Sequence, residues 1–84
     1  MKLVFHECGW EDYLHWQMTD RKLLERLNTL MKECGRTPFT GIGKPEPLSG
    51  ALSGWWSRRI DREHRLIYRL SEDGLLIAQF RHHY

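Results

Sequence analysis

Two cysteines, three prolines and no long apolar run are the scarcities of this 84-residue chain, and each closes off a class of protein. Cys8 and Cys34 are too few and too far apart for a disulfide-stapled miniprotein or a C-x-x-C motif, so both read as free thiols of a reducing compartment. No apolar stretch approaches the roughly 20 residues of a membrane helix. The opening Met1-Lys2-Leu3-Val4-Phe5 meets His6 and Glu7 too soon for a signal peptide. The expectation is a cytoplasmic protein with no membrane association. The length accommodates one domain, residues 1–84, with a limited core and no large cofactor-binding fold. Lysine is absent from residues 55–84, where six Arg face four acids, whereas residues 1–54 carry seven basic and seven acidic side chains. The whole net charge of +2 therefore lies at the C-terminal end, on guanidinium groups whose planar fork suits phosphate. A solvated sheet face laced with salt bridges is the competing account of the same pattern.

What is present organises itself by period. Met1 to His6 reads as a short strand. Trp10, Tyr13, Leu14 and Gln17 recur at helical spacing, with Glu11 and Asp12 in the first turn, where the helix dipole favours them. Thr19 or Asp20 can cap a second helix whose Leu23, Leu24, Leu27, Leu30, Met31 and Cys34 fall on one face. Gly35 is placed to close it and Pro38 to stop it. Residues 35–54 hold all three prolines and five of the seven glycines and follow neither period; a stretch that long is expected to be functional, with a short strand or turn near Glu46–Leu48. Trp55–Ile60, His64–Leu70 and Leu75–Arg81 then read as strands at hairpin spacing. Period two sets Leu66, Tyr68 and Leu70 on one face and Arg65, Ile67 and Arg69 on the other, and it sends Arg58 and Arg59 to opposite faces. The fold class expected is α+β: two N-terminal helices packed on one face of a twisted antiparallel sheet, with Arg presented on the other.

The candidate chemistry is a scattered set. Glu46 stands between Pro45 and Pro47, which stiffen the backbone and give its carboxylate a defined direction, as a general base requires. A solvated Glu in a rigid connector is the alternative. His83 is a natural acid or base near neutrality. It alternates with His82 across a strand, which argues against an adjacent-histidine metal site, and no metal is expected. Arg65 can stabilise charge developing on a phosphate, and Tyr84 offers a ring for base stacking and a hydroxyl. Arg58, Arg59, Arg69 and Lys44 are the remaining cations counted as substrate-binding candidates. Gly41-Ile42-Gly43-Lys44 lacks the flanking elements and the third Gly or Ser/Thr of a phosphate-binding loop. One carboxylate, one imidazole, Arg and Tyr suit RNA phosphodiester cleavage without a metal or any other cofactor.

Thr37-Pro38-Phe39, Gly41-x-Gly43-Lys44-Pro45-Glu46-Pro47-Leu48, Leu52-Ser53-Gly54-x-Trp56-Ser57-Arg58-Arg59-Ile60, Glu63-His64-Arg65-Leu66 and the closing His83-Tyr84 together resemble the YoeB toxins of bacterial toxin–antitoxin operons, within the RelE superfamily. The resemblance spans the chain from Met1-Lys2-Leu3 and Trp10-x-Asp12-Tyr13 to Tyr84. It implies a RelE-like microbial RNase fold and a ribosome-dependent endoribonuclease that cuts mRNA in the ribosomal A site. It implies Glu46 as general base, His83 as general acid, Arg65 as the phosphate-stabilising group, Tyr84 as the residue that positions RNA, and Arg59 as a further RNA contact. The partners implied are a YefM-type antitoxin, the ribosome with its mRNA, and a second copy of the chain, since family members form homodimers. Ser49, Trp55 and His82 depart from the family pattern, none at the four proposed catalytic positions. The rival reading is a toxin of the same superfamily fold that acts by binding alone, as gyrase-poisoning ParE-type toxins do, or a regulator that only binds antitoxin. The joint presence of Glu46, Arg65, His83 and Tyr84 separates the two. The acid–base scheme further expects Glu46 and His83 to face each other across an arginine-lined cleft.

Overall fold

A computed structural model describes residues 1–82. In chain order the elements are β1 (Leu3–Phe5), α1 (Glu7–Thr19), α2 (Arg21–Arg36), β2 (Glu46–Pro47), a single 3₁₀ turn (Gly50–Leu52), β3 (Trp56–Arg59), β4 (Arg65–Ser71) and β5 (Gly74–Gln79). The five strands form one sheet in the order β1-β5-β4-β3-β2. β2 to β5 pair antiparallel, as expected, while β1 joins β5 in parallel, so the sheet is mixed. The reason lies in the connection: two helices intervene between β1 and the other strands, and a crossover of that length can return the chain parallel to its start.

α2 forms because its leucines fall on one stripe. Asp20 caps it, its Oδ1 accepting from Leu23 N at 3.0 Å. Leu27, Leu30 and Cys34 are fully buried, with Leu23 and Met31 nearly so, against Leu66, Tyr68, Leu75, Ile77 and Phe80 of the sheet side. Each fully buried leucine contributes about 1.5–3 kcal/mol. The helix runs one residue past Gly35 to Arg36, and Thr37 is its C-cap.

α1 starts at Glu7, earlier than the apolar spacing suggests, and presents a different face. Trp10 and Leu14 stay largely exposed, whereas Gly9 and Trp16 are buried. The cause is close approach to β5: a Cβ on Gly9 would lie 2.8 Å from the Ile77 carbonyl oxygen, so only glycine lets the helix rest there. From the same side of α1, Asp12 Oδ2 accepts from Phe80 N at 3.0 Å and Trp16 Nε1 donates to Phe80 O at 3.0 Å.

β5 ends at Gln79 rather than Arg81, and it carries a bulge. Tyr68 pairs with Ile77 but Ile67 pairs with Gln79, leaving Ala78 as an extra residue. The bulge reverses the alternation, so that Phe80 turns into the core, where it is fully buried.

The two cysteines sit in opposite environments. Cys8 is exposed and Cys34 buried. Burial pushes the Cys34 thiol up from 9.0 to about 11, partly offset by the nearby Arg58 charge and a hydrogen bond with Tyr68. Burial likewise raises the Tyr68 hydroxyl above its usual 10.0. Between pH 9 and about 11 an unfolded Cys34 has lost its proton and the folded one has kept it, so the folded chain binds more protons and stability falls as pH rises. Urea unfolding from pH 8 to 11 is expected to show this loss, and a Cys34→Ala chain to show less of it. A disulfide-exchange reagent at pH 8 is expected to modify one thiol, Cys8, in the folded protein and both after unfolding.

Candidate functional site

The register of the sheet assembles the open face from residues far apart in sequence. Glu46 is the Cα partner of Ser57, Ser57 of Ile67, and Arg59 of Arg65. Paired residues share a face and alternate residues return to it. Glu46, Ser57, Arg59, Arg65, Ile67 and Arg69 therefore all point away from the helices. Arg65 confirms the placement: its Nη1 donates to Ser57 Oγ at 3.2 Å, one strand over and directly beside the Glu46 pairing. Glu46 lies on the edge strand and is exposed.

Lys44, with φ of 50°, takes a left-handed turn just before Pro45. Gly43, at φ 82°, precedes it, and its carbonyl accepts from Arg59 N at 2.7 Å. A Cβ at Gly43 would lie 2.8 Å from Leu30 Cδ2, so the loop is pressed against α2 at this point. Lys44 thus serves first as a turn residue that delivers Glu46 to the sheet edge.

Arg65 and Arg59 line a cleft of about 540 Å³ together with Arg26, Ile60, Asp61 and Arg62. Four guanidinium groups and one carboxylate make it a cationic cleft. Asp61 is already engaged, its Oδ1 accepting from the backbone of Glu63 at 2.9 Å and His64 at 2.7 Å. Arg26 and Arg62 were missed by sequence reasoning. Arg26 falls on the charged face of α2, and only the tertiary packing of that face beside the β3–β4 turn brings it to Arg59. Arg62 sits in the turn itself, where no period gives direction.

Arg69 lies at the far end of the open face and is exposed, its guanidinium carbon 6.0 Å from the Trp55 ring centroid. It does not line the cationic cleft.

Arg58 is a correction. The candidate substrate contact is fully buried on the helix side of the sheet. Its Nε donates to Tyr68 Oη at 3.1 Å, Nη1 to Ile42 O at 3.1 Å, and Nη2 to Thr40 O at 2.9 Å and to Thr37 O. Period two already separates it from Arg59, and the irregular loop supplies the acceptors that make its burial affordable. Tyr68 Oη in turn donates to Pro38 O at 2.6 Å.

The last described residues, 80–82, are held from several sides. His82, with φ of 59°, donates its backbone N–H to His64 Nδ1 at 2.8 Å, and its carbonyl accepts from Arg65 N at 3.3 Å. His83 and Tyr84, two of the four proposed catalytic residues, lie outside the described residues. Among the described residues no three His, Cys, Asp or Glu side chains converge as metal ligands, and no helix is long and apolar enough to cross a membrane.

Comparison with known proteins adds a consistent set of relatives. Residues 5–84 match the sequence model of a family described as the YoeB-like toxin of bacterial type II toxin–antitoxin systems. The chain is 56% identical to Toxin YoeB of Escherichia coli K12 and 55% identical to Toxin YoeB of Streptomyces coelicolor, with all of each chain covered. Among solved structures it is similar to the YoeB/ParE toxin from Agrobacterium tumefaciens, at TM-score 0.96 and 51% identity over the whole of both chains. It is also similar to the toxin in a YoeB–YefM complex from Staphylococcus aureus, at TM-score 0.92 and 38% identity, covering 100% of this chain and 98% of that one.

Replacing Arg58 by Met is expected to lower stability by about 3 kcal/mol or more, because the buried Tyr68 hydroxyl loses its donor at about 1–3 kcal/mol and the part-buried bonds to the carbonyls of Thr37, Thr40 and Ile42 are lost with it. Arg59→Ala, one residue on and exposed, is expected to stay within about 0.5 kcal/mol. Urea unfolding of the two variants side by side checks the contrast.

Proposed function

Because the chain belongs to the YoeB-like toxins of bacterial type II toxin–antitoxin systems, we propose that it inhibits translation as a metal-independent endoribonuclease that cuts mRNA in the ribosomal A site. Glu46 takes the proton of a ribose 2′-hydroxyl. The freed oxygen attacks the adjacent phosphorus and forms a 2′,3′-cyclic phosphate. Arg65 stabilises the charge gathering on the non-bridging oxygens. His83 donates a proton to the departing 5′-oxygen, and Tyr84 positions the RNA. Arg59, with Arg26 and Arg62 from the same cleft, holds the flanking phosphates, and Lys44 and Arg69 lend charge from the loop and the far end of the face.

One observation supports the reading: by the strand register the proline-flanked Glu46 shares an open sheet face with Arg59 and Arg65, and those two Arg line a cleft with Arg26 and Arg62. A base next to phosphate-binding cations is what in-line attack by a 2′-oxygen needs. No cofactor enters the scheme.

The partner proposed is a YefM-type antitoxin. The solved relatives described as a YoeB–YefM complex and a YoeB dimer from Staphylococcus aureus support that partner and a second copy of this chain as candidates. Ribosome and mRNA set the proposed location as the cytoplasm.

Glu46→Ala, Arg65→Ala and His83→Ala are each expected to reduce cleavage on the order of 10²–10⁴-fold and to relieve growth arrest, with antitoxin binding retained. Primer extension on a translated reporter mRNA checks this, with breaks within codons expected for wild type alone. A triple variant that still halts translation would favour action by binding alone.

Against four Arg the single carboxylate of Asp61 leaves the cationic cleft net positive, so RNA engagement should weaken with salt. Arg26→Ala with Arg62→Ala is expected to raise the KM for programmed ribosomes, to flatten its salt dependence and to leave kcat close to wild type.

A further inference from the structure

His64 is buried between the Trp16 ring, 4.6 Å away and edge-on, and the His82 ring at 5.4 Å. Neither contact explains why the residue is a histidine, since a phenylalanine would fill the space. The hydrogen bonds do. A backbone N–H can only donate, so the Nδ1 that meets His82 N at 2.8 Å is an acceptor without a proton. The proton then sits on Nε2, which faces Glu63 Oε2 at 3.2 Å. The exposed Glu63 carboxylate lies where an Nε2 proton is favoured, in keeping with the acceptor role of Nδ1.

Three side chains therefore hold the backbone of residues 80–82 in succession. Asp12 takes the N–H of Phe80, Trp16 its carbonyl, and His64 the N–H of His82. The first two come from α1 and set where the chain leaves the bulged strand. The third acts at a left-handed backbone position, φ 59°, which a non-glycine residue seldom adopts without outside support. Consecutive Cα atoms lie about 3.8 Å apart across a trans peptide, so whatever fixes His82 limits where the side chain of its successor can act.

We propose that His64 is a positioning residue of the RNA-cleaving site: its Nδ1 captures the backbone N–H of His82 and thereby fixes the residue that directly precedes the proposed acid, His83. This rests on the reading of His83 as the general acid. His64 takes no proton from the substrate and touches none of the reacting atoms. Its work is orientation, in which a displacement of about 1 Å costs on the order of 10²-fold in rate.

The test uses the purified full chain and mRNA-programmed ribosomes, with single-turnover and steady-state cleavage measured for wild type, His64→Phe, His64→Asn and His83→Ala. Phe keeps the ring against Trp16 and removes the acceptor. Asn is smaller and places Oδ1 near the position of Nδ1. The expected result is a fall in kcat on the order of 10²-fold for His64→Phe, with KM unchanged, and recovery of most of it in His64→Asn. Wild-type cleavage by His64→Phe alongside loss in His83→Ala overturns the positioning role alone. Equal losses in the Phe and Asn variants overturn it too, because the acceptor is then not what matters. Wild-type cleavage by His83→Ala overturns both this role and the catalytic assignment beneath it. Nitrogen-15 spectra of the wild-type protein give an answer independent of how the variants fold: a His64 protonated on Nε2 and bare on Nδ1 is expected, and the opposite tautomer overturns the proposal.

Discussion

The guanidinium of Arg58 is the constraint on which the open face depends. It sits wholly inside the protein and meets the Tyr68 hydroxyl and the carbonyls of Thr37, Thr40 and Ile42. A buried cation is costly unless polar groups surround it, and here the irregular segment between α2 and β2 supplies them. The segment has little apolar material with which to hold itself down. Tyr68 adds its bond to Pro38 O, and Arg59 N takes Gly43 O. With the loop fixed on β3 and β4, Lys44 turns and Glu46 arrives at the sheet edge opposite Ser57. A charged group deep in the core thus determines the direction of a carboxylate on the surface.

The other end of the site is fixed by different means. α1 lies so close to β5 that Gly9 leaves no space for a side chain, and the helix then reaches Phe80 with Asp12 and Trp16. The bulge at Ala78 turns Phe80 inward, which carries Arg81 and His82 toward β4. Arg65 sits where the two arrangements meet. Its side chain bonds Ser57 next to Glu46, and its backbone N–H bonds His82.

Much of the fold was legible because it follows strict periods. The leucine stripe of α2, the Asp20 cap and the β3–β4–β5 hairpins were readable from spacing and turn residues, and so was the separation of Arg58 from Arg59. What escaped was set by tertiary contact. The exposed Trp10 and Leu14 carry the apolar spacing of α1, yet Gly9 and Trp16 make its buried face, because backbone proximity to β5 outweighs side-chain pattern there. The parallel pairing of β1 has no local signature. Arg58 counted as a surface cation because Arg is rarely buried, and its acceptors come from a loop without a period. At the site, alternation separated Arg59 from Arg58, but only the strand register, pairing Arg59 with Arg65, set which of them shares the open face. Arg26 and Arg62 could not be placed without knowing which turn α2 packs beside.

The loop that Arg58 holds is anchored through its oxygens. Thr37, Pro38, Thr40, Ile42 and Gly43 each give a carbonyl to the sheet side. Amide deuterium exchange senses donors rather than acceptors. A segment tethered by its carbonyls can therefore trade its amide protons quickly while its atoms stay in register with the sheet, and fast exchange across residues 39–44 would be no sign of a wandering loop.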